Sequence, residues 1–177
     1  MGDNVILVGF MGAGKSSVGR ILARRLGRCF VETDDMIAAR EGRSVPEIFA
    51  ERGEAYFRAA EDDALGLLAL KQGCVIATGG GFPCRDGRPA ALRRLGCVVW
   101  LAGEFDTLYE RARRQGARPM LARPREDAEA LYRSRVPYYG QADVTVDTTS
   151  DGPDAVVAAI VRRLPAGAPA RGGGPVS

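Results

Sequence analysis

Gly9-Phe10-Met11-Gly12-Ala13-Gly14-Lys15-Ser16 is the segment from which the rest of this 177-residue chain can be interpreted. It satisfies the pattern G-x-x-x-x-G-K-[ST] at every specified position, and its flanks supply the context that the pattern requires. The apolar run Val5-Ile6-Leu7-Val8 ahead of it reads as a buried strand. Behind it, Val18, Ile21, Leu22 and Leu26 recur at helical spacing. Strand, glycine loop and helix together make a phosphate cradle. Glycine lets the backbone curl until successive N–H groups point inward, and the helix N-terminus adds its dipole and unpaired donors. The pattern therefore predicts a nucleotide site at Gly12, Ala13, Gly14, Lys15, Ser16 and Ser17. Lys15 would bridge the β- and γ-phosphates, and the Ser16 hydroxyl would ligate Mg²⁺.

Outward from this loop, apolar runs recur at 5–8, 30–31, 74–77, 97–101 and 144–146, with helical segments between them. Short buried strands alternating with helices predict an α/β fold whose mainly parallel, five-stranded sheet is covered on both faces. Ser44-Val45-Pro46-Glu47 reads as a capping box, which places a helix over 45–52, stopped by Gly53. A longer helix is expected over 54–71, with Phe57, Ala60, Ala64 and Leu68 on one face. Residues 115–124 contain Gly116, Pro119 and Pro124 among arginines, the composition of a mobile loop. Beyond 165 the chain is Ala, Gly and Pro with little to bury, so disorder is expected there.

The hydrophobic content of 46% and charged content of 27% are those of a soluble globular protein, long enough for one domain with a core. No internal repeat or second domain is visible. The net charge of +3 is too small to imply a nucleic-acid partner, and no aromatic-basic platform accompanies it. No apolar run approaches the ~20 residues of a membrane span. The chain has four cysteines (Cys29, Cys74, Cys84, Cys97) and no histidine, without the paired spacing of a zinc site. Cys74 and Cys97 each open an apolar strand and read as small buried hydrophobes. No signal peptide is visible, so free thiols and a cytoplasmic location are expected.

The remaining chemistry-bearing residues follow the strands. Thr33-Asp34-Asp35 comes after the second strand, where a sheet delivers side chains to the crevice at its C-terminal edge. Arg58 adjoins Phe57, Gly79-Gly80-Gly81 follows the third strand, Arg118-Pro119 lies in the arginine-rich loop, and Arg135 precedes Val136-Pro137-Tyr138. Together with the P-loop these residues resemble the shikimate kinase family, from Val5 to Leu164 and in the family's order. The marks are G-x-x-G-x-G-K-S, T-D-D-M-I, G-R-S, Phe57-Arg58, T-G-G-G, R-P-M-L and S-R-V-P-Y-Y.

The resemblance implies a three-layer α/β/α P-loop fold of the nucleoside-monophosphate-kinase type. It implies one kinase domain over 1–164, with an acceptor-binding helical region near 34–61 and a lid near 116–124. The implied reaction is ATP-dependent phosphorylation of the 3-hydroxyl of shikimate, a step of aromatic amino-acid biosynthesis, by a monomer with Mg²⁺ as cofactor. Asp34 would bind the acceptor's hydroxyls and take the proton from the attacking one. Arg58 and Arg135 would clamp its carboxylate with their guanidinium forks. Gly79, Gly80 and Gly81 would let the backbone approach acceptor and γ-phosphate. Arg118 would fold over the phosphates and stabilise transition-state charge. Arg111 reads either as a stack on adenine or as a surface helix arginine. Glu32 stands where the family usually has an aspartate that holds the water shell of Mg²⁺; the extra methylene keeps the charge and alters the reach. The alternatives are a kinase for aminoshikimate, quinate or gluconate, and a non-catalytic nucleotide-binding relative.

Overall fold

The computed structural model describes residues 3–114, 124–149 and 152–165. Its strands are β1 (Asn4–Val8), β2 (Cys29–Glu32), β3 (Cys74–Ala77), β4 (Gly96–Ala102) and β5 (Val144–Asp147), each within a residue or two of the apolar run that predicted it. All four pairings are parallel, in the order β2-β3-β1-β4-β5. Every residue of β1 and β3 is buried. These strands carry uninterrupted apolar runs because helices cover both faces of a parallel sheet, which leaves no solvent side for alternation.

The helices among the described residues are α1 (Lys15–Leu26), α2 (Thr33–Glu41), α3 (Val45–Leu68), α4 (Arg88–Leu95), α5 (Phe105–Arg114), α6 (Arg125–Tyr139) and α7 (Pro153–Arg163). The result is the three-layer α/β/α sandwich expected of a P-loop protein. Helix α1 packs on α7 and the β2–β3 edge, α2 on α3, and α5 on α6. The core contains Leu7, Ile76, Leu101, Leu22, Leu92 and Ile160, none measurably exposed. At the start of α3, the Glu47 N–H donates to Ser44 Oγ at 3.5 Å and the Ser44 N–H to Glu47 Oε2 at 2.7 Å, which forms the capping box. Gly53, with φ 77° and ψ 176°, breaks the helical backbone where a stop was expected. The two helical stretches remain one kinked element that ends at Leu68, not at residue 71.

Register decides what meets at the sheet's C-terminal edge. Glu32 pairs with Ala77, Leu7 with Ala77, and Val8 with Trp100. The loops that leave β1, β2 and β3 therefore emerge side by side, and they are the P-loop, Thr33-Asp34 and Thr78-Gly79-Gly80-Gly81.

The expectation of free thiols fails for one pair. Cys29 and Cys74 are register partners with Cα atoms 4.6 Å apart, and they are joined by a disulfide with an S–S distance of 1.99 Å. Only the pairing of β2 with β3 brings together two residues 45 positions apart, at the Cα separation a disulfide needs. Among the described residues, Cys84 and Cys97 are free thiols. The expected lid at 116–124, including Arg118 but not Pro124, and the tail beyond Pro165 lie outside the described residues. No described helix is long and apolar enough to cross a membrane.

Candidate active site

The P-loop leaves β1 at Val8 and enters α1 at Lys15, with Gly14 as N-cap at φ 82°. Gly12 has φ 77°, and a Cβ there would lie 2.0 Å from the Leu108 carbonyl oxygen of α5. Only glycine fits both that backbone angle and that contact, so the loop is pressed close against α5. The Lys15 ammonium donates to the Gly9 carbonyl at 2.8 Å and to the Phe10 carbonyl at 3.0 Å, which holds the charge at the mouth of the loop. Ala13 is buried behind the loop, and Ser17 is exposed on the first turn of α1.

Ser16 and Glu32 meet although 16 residues separate them. The Ser16 hydroxyl donates to Glu32 Oε1, and Arg20 Nη2 donates to Glu32 Oε2 at 3.2 Å. The Arg20 guanidinium lies 4.8 Å from the centroid of the Phe30 ring. A hydroxyl beside a carboxylate is the hard-oxygen donor set that Mg²⁺ takes. Among the described residues no group of three or more His, Cys, Asp and Glu forms a cage of its own. The pair thus fits a cation carried mainly by phosphate and water.

The second half of the site is organised by what the glycine turn lacks. A Cβ on Gly79 would lie 2.4 Å from Asp34 Oδ1. One on Gly81 would lie 2.9 Å from Arg58 Nη1 and 3.2 Å from Arg135 Nη2. One on Gly80 would lie 3.4 Å from Arg135 Nη1 and 3.6 Å from the Gly9 carbonyl oxygen of the P-loop. Asp34, Arg58 and Arg135, carried by α2, α3 and α6, converge on one Cβ-free turn that adjoins the P-loop. The turn is anchored to its neighbours: the Gly79 N–H donates to Thr33 Oγ1 at 2.9 Å, and Thr78 Oγ1 to the Leu7 carbonyl at 3.0 Å.

Arg58 is oriented from behind. Nη1 donates to Glu61 Oε2 at 2.8 Å, and Nη2 donates to Glu54 Oε1 at 2.9 Å. Burial alone would lower the Arg58 pKa, but the hydrogen bonds and charges of Glu61 and Glu54 outweigh it and raise it. Glu61 is 1% exposed, and burial pushes its carboxyl up in spite of Arg58. Arg88, also buried, donates to the Glu61 carbonyl at 3.2 Å and to Asp62. Sequence reasoning passed over Glu61. The available signal was an acid on the apolar face, four residues after Phe57 and three before Ala64, where only a paired carboxylate is tolerated.

Arg135 lies over Phe10 of the P-loop, 5.9 Å from the ring centroid, and so touches both halves of the site. Arg111 is no free surface arginine. Nη1 donates to the Thr148 carbonyl at 2.6 Å and Nη2 to the Thr149 carbonyl at 2.9 Å. These bonds use the guanidinium edge and tie α5 to the segment after β5.

A phosphate cradle at a sheet edge, beside a turn on which one carboxylate and two guanidinium groups converge, defines a P-loop phosphotransferase for a small acidic acceptor. Comparison with known proteins agrees. The family model described as shikimate kinase matches residues 11–165. The shikimate kinase of Symbiobacterium thermophilum is 46% identical over 91% of this chain and 95% of its own length. That of Moorella thermoacetica is 44% identical over 93% of both chains. The structure of the Acinetobacter baumannii shikimate kinase in complex with shikimate superposes with a TM-score of 0.84, at 34% identity over 90% of both chains. A deoxyadenosine kinase from M. mycoides, with a TM-score of 0.63 and 15% identity over 90% of this chain and 98% of its own, shares the fold alone. The chain belongs to the shikimate kinase family.

Proposed function

We propose that the chain transfers the γ-phosphoryl group of ATP to the 3-hydroxyl of shikimate, giving shikimate 3-phosphate and ADP. The observation that carries this reading is the convergence of Asp34, Arg58 and Arg135 on Gly79–Gly81, next to the P-loop. Two guanidinium forks select a carboxylate over a neutral sugar. A carboxylate beside them accepts hydrogen bonds from a diol and serves as the base.

In this mechanism Arg58 and Arg135 grip the acceptor's carboxylate and fix the ring. The 3-hydroxyl then rests on Asp34 and faces the P-loop. As its oxygen bonds to the γ-phosphorus, its proton passes to Asp34, and the bond from the γ-phosphorus to the β,γ-bridging oxygen breaks. Lys15 turns from the carbonyls of its own loop to the phosphates, where positive charge is worth most as the leaving group gathers negative charge. Ser16, with Glu32 through a water, would hold Mg²⁺, which would supply charge neutralisation at the phosphates. Arg111 offers a guanidinium face to adenine, and the P-loop backbone from Gly12 to Ser17 binds the phosphates. Arg118 enters on the resemblance of Arg118-Pro119-Met120-Leu121 alone, as a further charge on the transferring group. The working unit in this reading is a cytoplasmic monomer built from residues 1–164, whose partners are small molecules and neither nucleic acid nor membrane.

The test is phosphoryl transfer from MgATP measured in parallel on shikimate, quinate, gluconate and 5-aminoshikimate, with the product identified by phosphorus NMR. Shikimate should give the highest kcat/KM and a single 3-phosphate. A higher kcat/KM on another acceptor overturns the substrate, and transfer to none of them overturns the activity.

A further inference from the structure

The glycine turn is shaped by backbone contacts of its own and by Thr33 after β2. The Gly79 N–H donates to Thr33 Oγ1 at 2.9 Å, the Phe82 N–H to the Gly79 carbonyl at 3.0 Å, and the Cys84 N–H to the Gly81 carbonyl at 3.0 Å. Another comes from the end of α6. Tyr139, at the end of α6 and with no exposed surface, donates its hydroxyl to the Gly80 carbonyl at 2.7 Å. Its ring is packed near Trp100 of β4, with centroids 6.1 Å apart, so the hydroxyl has a fixed seat. The Cys84 thiol reaches the same carbonyl at 3.5 Å, a weaker contact. Burial pushes the Tyr139 phenol far above its ordinary range, so it remains a donor at any working pH.

The Gly80–Gly81 peptide is flanked on both sides by glycine, so it can flip with little steric resistance. In a trans peptide the carbonyl of one residue and the N–H of the next point in opposite directions. A hydroxyl that fixes the Gly80 carbonyl toward the core thereby turns the Gly81 N–H outward. The Gly81 N–H makes no hydrogen bond to any described residue. The Arg58 and Arg135 guanidinium groups stand within 2.9 to 3.2 Å of where a Gly81 Cβ would be, and Arg135 also lies beside the Tyr139 hydroxyl. A flipped peptide would present a carbonyl oxygen there, which repels a carboxylate or a hydroxyl lone pair.

We infer that Tyr139 is a positioning residue for the acceptor: by holding the Gly80 carbonyl it aims the Gly81 N–H at the bound acid between Arg58 and Arg135. The inference rests on the acceptor reading proposed above. Tyr139→Phe removes one hydroxyl oxygen and keeps the ring that packs near Trp100. It should lower kcat/KM for shikimate by about three- to tenfold, the population shift that one net hydrogen bond controls. The change should fall on KM for shikimate, with KM for ATP and the affinity for ADP unaltered.

The experiment is steady-state kinetics of wild type and Tyr139→Phe, together with spectra of glycine-¹⁵N-labelled protein titrated with shikimate. In the wild type the Gly81 amide should shift on binding, and in the variant that shift should shrink. Unchanged shikimate kinetics in the variant overturn the inference. So does an equal loss for ATP and shikimate, which marks a merely structural role. A wild type that binds and phosphorylates no shikimate defeats the acceptor reading itself, an outcome visible before any variant is made. A wild-type Gly81 amide unmoved by bound shikimate also overturns the assignment.

Discussion

Replacing Gly79 by alanine sets one methyl group against the Asp34 carboxylate. The added Cβ would lie 2.4 Å from Asp34 Oδ1, whereas ordinary contact begins at 3.4 Å. The carboxylate must therefore retreat by about 1 Å, a misplacement that in a reacting pair can lower the rate by roughly 10²-fold. The backbone does not object, because Gly79 is absent from the glycines with positive φ. The nearest atoms belong to the far end of one side chain, so the change falls on Asp34 and not on the backbone. Stability should thus stay within about 1 kcal/mol of wild type, the size of a small overpacking strain. A coupled assay of ADP release should show kcat on shikimate down by about 10²-fold, while ADP affinity, measured by calorimetry, stays level. A Gly79→Ala enzyme with near-normal kcat would refute both the placement of Asp34 against the acceptor and the reasoning from the Cβ-free turn. A variant that melts well below wild type would refute the claim that the turn's glycine serves the site and not the fold.

The remaining predictions concern the guanidinium pair and its support. Arg58→Ala and Arg135→Ala should each weaken shikimate binding by about 1.5–3 kcal/mol, the worth of one charge-assisted contact, with a far smaller effect on ATP. Titrations in which ATP affinity falls and shikimate affinity holds would contradict the clamp. Arg135→Ala also loses its place over Phe10, 5.9 Å away, so of the two it should disturb the P-loop more. Glu61→Gln has a signed pH dependence. Burial raises the Glu61 pKa above 4.5, so the folded state favours the neutral carboxyl. That contribution is full below the unfolded value and is lost as pH rises through the raised folded value. Glutamine removes the dependence, so the melting temperature of the variant relative to wild type should climb from mildly acidic to neutral pH. KM for shikimate should rise by up to about tenfold as a neutral amide acceptor replaces the charged partner that orients Arg58. A pH-independent difference with unchanged KM would show that Glu61 neither suffers from burial nor orients Arg58.

The chain's local patterns carried most of the architecture. The glycine loop, the capping box at Ser44 and the apolar runs are short-range signals, because helix caps, P-loops and buried strands depend on residues within one or two turns of one another. Gly53 was legible for the same reason, as a helix interruption. The family marks implied that Asp34, Arg58, Arg135 and the glycine turn share one acceptor, without giving the contacts that bring them together. Those depended on strand register, which no local pattern contains: β3 lies between β1 and β2, and so the three loops share one edge. Register also made partners of Cys29 and Cys74, against the expectation of free thiols drawn from the lack of a visible signal peptide. Glu61 and Tyr139 were decided in the same way. Each is a buried polar group whose meaning is its partner, the Arg58 guanidinium for one and the Gly80 carbonyl for the other. Glu61 meets its partner one helical turn away, but its burial comes from the packing around α3. Tyr139 meets its partner 59 positions away in the chain. A sequence fixes such a residue's chemistry, while desolvation and hydrogen-bond satisfaction, which belong to the packed chain, choose what that chemistry acts on.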